Sequence, residues 1–387
     1  MLRWIAIVAA LAAADSVPQS SPQGATTPDL NAAIGRLGDF DHGSRTEAAR
    51  SLRRAPAAAV VPLLAAAARS HADEYVRYRA LTLLSGFGGS AAADVMAAVR
   101  GDRNDRLRMV AYAWFEHHPD PALLRGLIEA FQKEDSEFVR PTLTRALAAQ
   151  AQDTRSQEVL GPLVMKGADF FRGAIIEALG EYGGRFAIAN IAAVAELDGP
   201  LQDDAVTALG RLGDPSQVGL LARLQRSAPQ HVQPTISVAL CMLGRACTEA
   251  ERYVKDTLAF AARNEGYQAL LRGAVHAQGM LALHGVKGGV GTLLDAGVAA
   301  KSESVRAPVA LGLGLVALKK PELILDALEA RADLDPAVDL LAEAFEMLAE
   351  DYEEERFFVV VRQAYWNAPA ESARRRVADA LIRKLEF

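Results

Sequence analysis

The sequence predicts an all-α protein, an α-solenoid (superhelix) of about ten antiparallel helix pairs with a C-terminal capping helix. Three observations carry this prediction. Apolar residues recur at helical spacing along nearly the whole chain, the pattern repeats about every 32 residues, and aromatic residues are scarce, at 6% against a hydrophobic content of 51%. Small and medium aliphatic side chains, chiefly Ala and Leu, suit close packing between helices.

Each repeat begins with an anchor residue, which is followed three residues later by an apolar residue and four residues after that by another. Arg77, for example, is followed by Ala80 and Leu84. Spacing of three and then four places these side chains on one face of a helix. The remaining anchors are Arg108, Arg140, Arg172, Gln202, Gln233, Arg306, Val338 and Arg374, with one further unit expected around Arg272.

A tight corner and a second apolar stretch follow each anchor helix. The corner is marked by glycines about eleven residues past four of the anchors, at Gly88, Gly183, Gly213 and Gly244. A glycine at a helix end commonly adopts the left-handed conformation. Pro321 suits the first turn of the second helix in its unit. Thr248 with Glu251 has the spacing of a capping box, which predicts a helix beginning at Thr248.

The stretches VRYRALTLLSGFG, FRGAIIEALGEYG and DDAVTALGRLGDPSQVGLLARL resemble HEAT repeats, particularly the short bacterial kind found in phycobilin lyases. The resemblance covers residues 29–387. It implies a superhelix whose concave surface is lined by one series of helices. The last residues form a closing helix with Val377 and Leu381 facing inward. HEAT arrays serve as scaffolds, as adaptors and in some cases as enzymes, so the resemblance does not decide the function.

The N-terminal region has a different character from the repeats. Residues 1–14 combine Arg3, an apolar run and small residues before Asp15, which is typical of a cleaved signal peptide. An uncleaved N-terminal anchor is the alternative. Residues 15–28 are rich in Ser, Pro and Thr and predict a flexible linker. We therefore expect an exported protein, periplasmic or secreted, in a bacterial envelope.

Charge and motifs exclude several classes of function. With 42 basic and 48 acidic residues the net charge is −6, which disfavours binding to nucleic acid. The glycines of KGGVGTLL lack the lysine and hydroxyl residue of a phosphate-binding loop, and no zinc-protease or serine-hydrolase motif is present. The sequence therefore predicts no catalytic residue, no cofactor and no metal site.

Cys241 and Cys247 are the only cysteines. They flank a corner at which the chain turns back, and an exported protein meets an oxidising compartment, so a disulfide is the favoured prediction. Two free buried thiols, or metal and redox chemistry, are the alternatives.

Two groups of charged residues are candidates for a partner surface. Asp351, Glu353, Glu354 and Glu355 form an acidic run that could bind a basic partner, although acidic residues also favour a helix N-terminus for local reasons. The other candidates are the anchor arginines, which could form a shared groove or pack their stems between units. They are Arg77, Arg108, Arg140 and Arg172.

The histidines are interpreted as ordinary polar residues. His117 and His118 precede Asp120 at a corner, where adjacent histidines point in different directions and polar residues are expected. His276 and His284 lie on one predicted helix and have no nearby carboxylate in sequence.

The leading functional prediction is an exported, non-enzymatic scaffold or adaptor that binds a protein partner through its concave surface. It has no membrane span once the signal is cleaved. One alternative is an enzyme on a HEAT scaffold, similar to the phycobilin lyases or to HEAT-fold DNA glycosylases. A purely structural spacer is the other.

Overall fold

The computed structural model describes residues 29–348 and 351–387, and all regular secondary structure within them is helical. The predicted signal peptide and linker lie outside these residues. The helices are α1 Leu30–Arg36, α2 His42–Arg54, α3 Ala57–Ser70, α4 Glu74–Ser85, α5 Gly89–Val99, α6 Asp105–His117, α7 Leu124–Phe131, α8 Val139–Ala148, α9 Thr154–Leu160, α10 Asp169–Glu181, α11 Ile188–Ala195, α12 Gln202–Leu212, α13 Val218–Ser227, α14 Gln233–Met242, α15 Cys247–Arg263, α16 Gln268–Leu283, α17 Gly289–Val298, α18 Glu303–Lys319, α19 Pro321–Glu329, α20 Leu334–Met347, α21 Asp351–Asn367 and α22 Ala373–Lys384. Short 3-10 segments follow α9 and precede α11 and α13, at Gly161–Met165, Arg185–Ala187 and Pro215–Gln217.

The helices form two layers. The even-numbered helices from α2 to α20 make the first layer, in which each helix packs against the next one. The odd-numbered helices from α3 to α19 make the second layer and pack against the first. From α5 onward, neighbouring second-layer helices pack less closely than neighbouring first-layer helices, so this part of the array curves with the first layer on its inner side. The predicted α-solenoid is confirmed.

Every predicted anchor lies in the first two turns of an even-numbered helix, from Arg77 in α4 to Arg374 in α22. The apolar positions three and seven residues after each anchor are buried, with Leu240 half-buried as the exception. The unit expected around Arg272 is present as α16, where Gly279 takes the second apolar position and is buried. The 32-residue period of the sequence therefore corresponds to the spacing of successive first-layer helices along the chain.

The four corner glycines, Gly88, Gly183, Gly213 and Gly244, have the positive φ that a left-handed residue requires, between 66° and 78°. Gly88, however, with ψ −157°, lies outside the left-handed helical region. The predicted capping box at Thr248 is wrong, because α15 already begins at Cys247 and no side chain caps it. The tight turn from Cys241 to Cys247 leaves no room for an extended capping residue, and Ala246 before the helix is left-handed.

The last two helices, α21 and α22, do not follow the alternation between the two layers. Helix α22 packs against α19 and α20, and its predicted inward residues Val377 and Leu381 are buried. Helix α21 packs against α22, α18 and α19 and extends to α4 and α6 near the other end of the chain. Tyr352 of α21 joins the core of the N-terminal helices, edge-on to Trp114 with ring centroids 6.4 Å apart. The two ends of the array are therefore joined.

A buried ion pair lies where α21 meets α2. Nε and Nη2 of Arg53 donate to one oxygen of Glu355 at 2.9 and 2.7 Å, and the two side chains are 7% and 1% exposed. Arg362 lies 3.4 Å from the other carboxylate oxygen. Gly86 leaves space for this carboxylate, since a Cβ on Gly86 would lie 2.5 Å from that second oxygen. Removing one member of such a pair leaves a buried charge without its partner.

We expect Arg53→Ala to lower the free energy of unfolding by about 2–3 kcal/mol, because Glu355 stays buried and loses its closest cation. Arg53→Met, Glu355→Gln and Arg362→Met together remove all three charges of the cluster, leave no buried charge unpaired, and should recover at least half of the loss. Urea denaturation of the folded protein measures these differences.

Arg50→Ala is the control for this measurement, because Arg50 lies on the same helix and pairs with the exposed Glu47. An exposed pair of this kind contributes about 0.5 kcal/mol or less. Equal effects of Arg50→Ala and Arg53→Ala would show that the contact between α2 and α21 does not hold the ends together.

Candidate functional site

The anchor arginines bind the end of the preceding unit. Nε of Arg77 donates to the carbonyl of Ala68 at 3.1 Å, near the end of α3. Nε of Arg172 donates in the same way to the carbonyl of Val164 at 3.0 Å. The last carbonyls of a helix have no partner within it, and a basic side chain can satisfy them. These arginines therefore cap the second-layer segment before them.

The other two candidate arginines also contact neighbouring units. Nε and Nη2 of Arg108 bind the Glu134 carboxylate, each at 2.8 Å. The guanidinium of Arg140 lies over the ring of Phe171, 4.2 Å from its centroid, and over Phe131 at 5.5 Å. All four anchor arginines are thus engaged within the chain, between consecutive units.

The acidic run at the start of α21 lies on basic and aromatic side chains of the first layer. Asp351 accepts hydrogen bonds from the Tyr78 hydroxyl and from Nη1 of Arg79, the latter at 2.9 Å. Glu355 forms the buried pair with Arg53. Glu354 is half-buried on the same helix. The acidic run is therefore paired with cations of the same chain.

A second cluster joins α6 to α21. Nε2 of His117 lies 2.6 Å from the Glu353 carboxylate, which also accepts from Nη1 of Arg356. Beside it, Glu116 is bound by Arg145 at 2.7 Å and by the Tyr182 hydroxyl at 2.5 Å. Candidate ligand atoms of Glu116, His117 and Glu353 lie within 4.8 Å of one another, which is a spacing that could hold a metal ion. Each carboxylate, however, already has a guanidinium counter-charge, so the arrangement is an ion-pair network.

His118 and Asp120 are the other two polar residues of this corner. Their contacts agree with the prediction that they are ordinary polar residues. The ring of His118 stacks on Trp114 with centroids 3.8 Å apart, and Asp120 accepts from the backbone N–H of Ala122 at 2.8 Å. The interpretation of His276 as lacking a carboxylate is wrong. The curvature of the first layer brings α12 to it, so that Nε2 lies 3.8 Å from Asp203 and 3.0 Å from the Thr207 hydroxyl.

The pKa values of two acidic side chains in α10 and α12 are shifted in opposite directions. Burial alone would raise the pKa of Glu177, but Lys319 and Arg145 outweigh it and lower that pKa to about 2. The Lys319 ammonium reaches Glu177 at 3.2 Å and also contacts Glu181, across the curve from α18 to α10. Burial together with the charges of Asp203 and Glu177 raises the pKa of Asp204 to about 6.

The two cysteines are paired. Cys241 lies in the last turn of the first-layer helix α14, and Cys247 is the first residue of α15. Their Cα atoms are 4.4 Å apart. The pair lies at a corner, with Cys241 buried and Cys247 half-buried. The bond joins the two helices of one unit.

Large apolar side chains are exposed on three successive turns that lead into first-layer helices. Phe138 precedes α8 and Phe170 is the second residue of α10, and both are 70% exposed. Met165 lies in the turn before α10, and Leu197 lies between α11 and α12. We call these four residues the apolar turn patch. Phe138 and Phe170 each lie two residues before an anchor and are 32 residues apart, and Met165 and Leu197 are also 32 residues apart. This shared spacing could have found them, but the prediction followed only the apolar positions after each anchor.

Comparisons with known proteins concern the architecture only. No family model and no curated protein matches the sequence. Human deoxyhypusine hydroxylase in complex with glycerol is 16% identical with a TM-score of 0.29, over 66% of this chain and 95% of that one. Importin beta crystallised in ammonium sulfate is 14% identical with a TM-score of 0.36, over 92% of this chain and 57% of that one. Both are HEAT-repeat helical solenoids, and neither similarity attaches an activity or a partner to this chain.

None of the helices in the described ranges is both long and apolar enough to cross a membrane.

The raised pKa of Asp204 predicts a pH-dependent effect of Asp204→Asn. The folded state holds the Asp204 proton more tightly than the unfolded state, so this carboxyl group lowers stability as pH rises from about 4 to about 6. The variant should be more stable than the wild type at pH 7.5 by about 1–2 kcal/mol, since one pKa unit corresponds to about 1.4 kcal/mol and Asp204 keeps some contact with solvent. The gain should vanish near pH 4.

Thermal unfolding of both proteins at the two pH values measures this difference. Asp198→Asn, in the exposed turn before α12, is the control and should change stability at neither pH. A gain from Asp204→Asn that is equal at both pH values would show that ionisation of Asp204 is not its cause.

Proposed function

We propose that the chain is a non-catalytic scaffold of the HEAT type that binds a protein partner through the apolar turn patch. One observation carries the proposal, namely the exposure of Phe138, Met165, Phe170 and Leu197 on three consecutive turns. Single exposed apolar residues are ordinary, but apolar groups clustered on one face mark protein-binding sites. The turns are held by packed helices, so the aromatic rings need little ordering when they bind.

Charge around the patch defines the kind of partner. Asp135, Glu137 and Asp198 lie on the same turns as the exposed apolar residues, and their side chains have no ion pair or hydrogen bond within the described residues. Lys133 and Lys166 are exposed and unpaired on these turns as well, so unpaired carboxylates exceed unpaired cations by one. Carboxylates around apolar side chains complement a partner that offers apolar sockets with basic residues at their rim. We therefore propose a basic protein surface as the partner.

The concave surface was the expected binding surface, and its charged residues support a different use. On α4 and α6 they bind α21 through Asp351 and Glu353, and on α10 they bind Lys319. A partner on this side would have to displace contacts that close the array. Binding at the apolar turn patch would displace none of these contacts, which favours the patch as the binding surface.

The absence of catalysis is part of the proposal. The groups that could exchange protons, such as Glu116, His117 and Glu353, are held in ion pairs between helices. Export is also proposed, on the basis of the apolar run before Asp15 and the Cys241–Cys247 pair, because disulfides persist in oxidising compartments.

Phe138→Ser combined with Phe170→Ser should abolish recovery of the partner from a chemically crosslinked envelope fraction. The loss should exceed tenfold, since aromatic anchors at the centre of an interface contribute about 2 kcal/mol or more each. Quantitative mass spectrometry of proteins crosslinked to wild type and to variant measures it. Both proteins should have the same melting temperature, because the two side chains are exposed.

Phe40→Ser combined with Trp366→Ser is the matched control, since these side chains are equally or more exposed and lie elsewhere, Phe40 between α1 and α2 and Trp366 near the end of α21. A partner that is lost in the control as well, or that is retained in Phe138→Ser with Phe170→Ser, would rule out the patch.

Export is tested by the intact mass of the protein recovered from cells, with and without reduction. A chain that begins at Asp15 and has no reactive thiol is expected. Cys241→Ser combined with Cys247→Ser should lower the free energy of unfolding by about 2 kcal/mol, as expected for a short closed loop. A full-length chain with two reactive thiols would contradict export and would place the partner in a reducing compartment.

A further inference from the structure

A groove runs between two second-layer helices in the C-terminal half of the array. It lies between α15 and α17 and ends at the start of α18, and its volume is about 570 Å³. Buried Leu258 and Val305 contribute to its floor. The groove is open because the residues that face it are small, and these are Ala259, Ala262, Ala296, Ala299 and Ala300.

Three cations lie along the rim. Lys255, Arg263 and Lys301 line the groove and are exposed. None of them forms an ion pair or a hydrogen bond through its side chain in the part of the chain that the structure describes. The nearest carboxylate in the lining is Asp295, and Nη1 of Arg331 holds it at 2.7 Å. Positive charge is therefore left without a partner here, in a chain with 48 acidic and 42 basic residues.

We propose that this groove binds an acidic amphipathic helix of a partner protein. An apolar floor with a charged rim is the arrangement that receives the apolar face of a short helix. Lys255 and Arg263 are eight residues apart on α15, which corresponds to about 12 Å or about two helical turns. Glutamates on the polar face of the bound helix would then reach the cations at both ends of the groove and Lys301 on its other side.

This inference rests on the proposed protein-binding function but uses a different surface. The apolar turn patch carries charges of both signs, with a small excess of carboxylates, and lies between α7 and α12, whereas the groove has a basic rim and lies between α15 and α18. Variants in one surface leave the other unchanged, so either proposal can fail while the other stands.

The test uses the full chain and a fluorescent helical peptide of about four turns, with leucines on one face and glutamates elsewhere. Saturable binding to the wild type is expected by fluorescence anisotropy, and it should weaken as salt increases. The charge-reversal variant Lys255→Glu, Arg263→Glu, Lys301→Glu should bind at least about tenfold more weakly. The matched peptide with lysines in place of glutamates should not bind.

Two further variants separate the groove from general electrostatics. Arg69→Glu, Lys133→Glu, Arg226→Glu changes the net charge by the same amount at exposed cations elsewhere and should bind like the wild type. Ala259→Leu combined with Ala296→Leu fills the groove without changing its charge and should also lose at least about tenfold. Circular dichroism confirms that each variant is folded before binding is measured.

Several outcomes would overturn the proposal. No saturable binding to the wild type would do so, as would equal losses in the two charge-reversal variants. Binding to vesicles with about one third anionic lipid, with none to the peptide, would assign the groove to a lipid surface. A dimer in sedimentation that the groove-filling variant disrupts would place a second copy there.

Discussion

The contact of α21 with the first units is the interaction on which the rest of the structure depends. In an open solenoid each repeat contacts only its neighbours, and stability is close to a sum of local contributions. Here Arg53 and Glu355 pair across 302 residues of sequence, and Tyr352 enters the core of the other end. The first and last units therefore stabilise each other. We expect such an array to unfold more cooperatively than an open one, because neither end can fray without exposing a buried charge.

The closure requires strong curvature of the first layer, and small residues permit it. A Cβ on Gly180 would lie 2.7 Å from the Cα of Ala208, and one on Gly210 would lie 2.9 Å from the Cα of Ala239. Helices α10, α12 and α14 therefore approach backbone to backbone, while the second layer outside them packs less closely. This difference between the layers bends the array until Lys319 reaches Glu177 and His276 reaches Asp203.

Local patterns in the sequence predicted the helices, the buried stripes and the positive φ of the corner glycines, because each depends on residues within one or two turns. They could not predict the position of α21. An acidic run at the start of a helix is already explained by the helix dipole, so Asp351 and Glu353 carried no signal of a distant partner. Glu116, in the last turn of α6, was missed because its partners Arg145 and Tyr182 come from later units. Thr248 failed as a cap because the turn between the cysteines decides where α15 begins.

The closure also bears on the two proposed binding surfaces. Charged residues of the first layer form ion pairs across the curve, as Arg79 does with Asp351 and Glu177 with Lys319. Unsatisfied features remain on the outside, namely carboxylates on the turns of the apolar turn patch and cations along the groove between α15 and α17. The two surfaces differ in charge and lie in different halves of the array. A rigid closed array that holds them at a fixed separation could bind two different protein segments at once, and linking two sites in this way raises their combined affinity without any new contact.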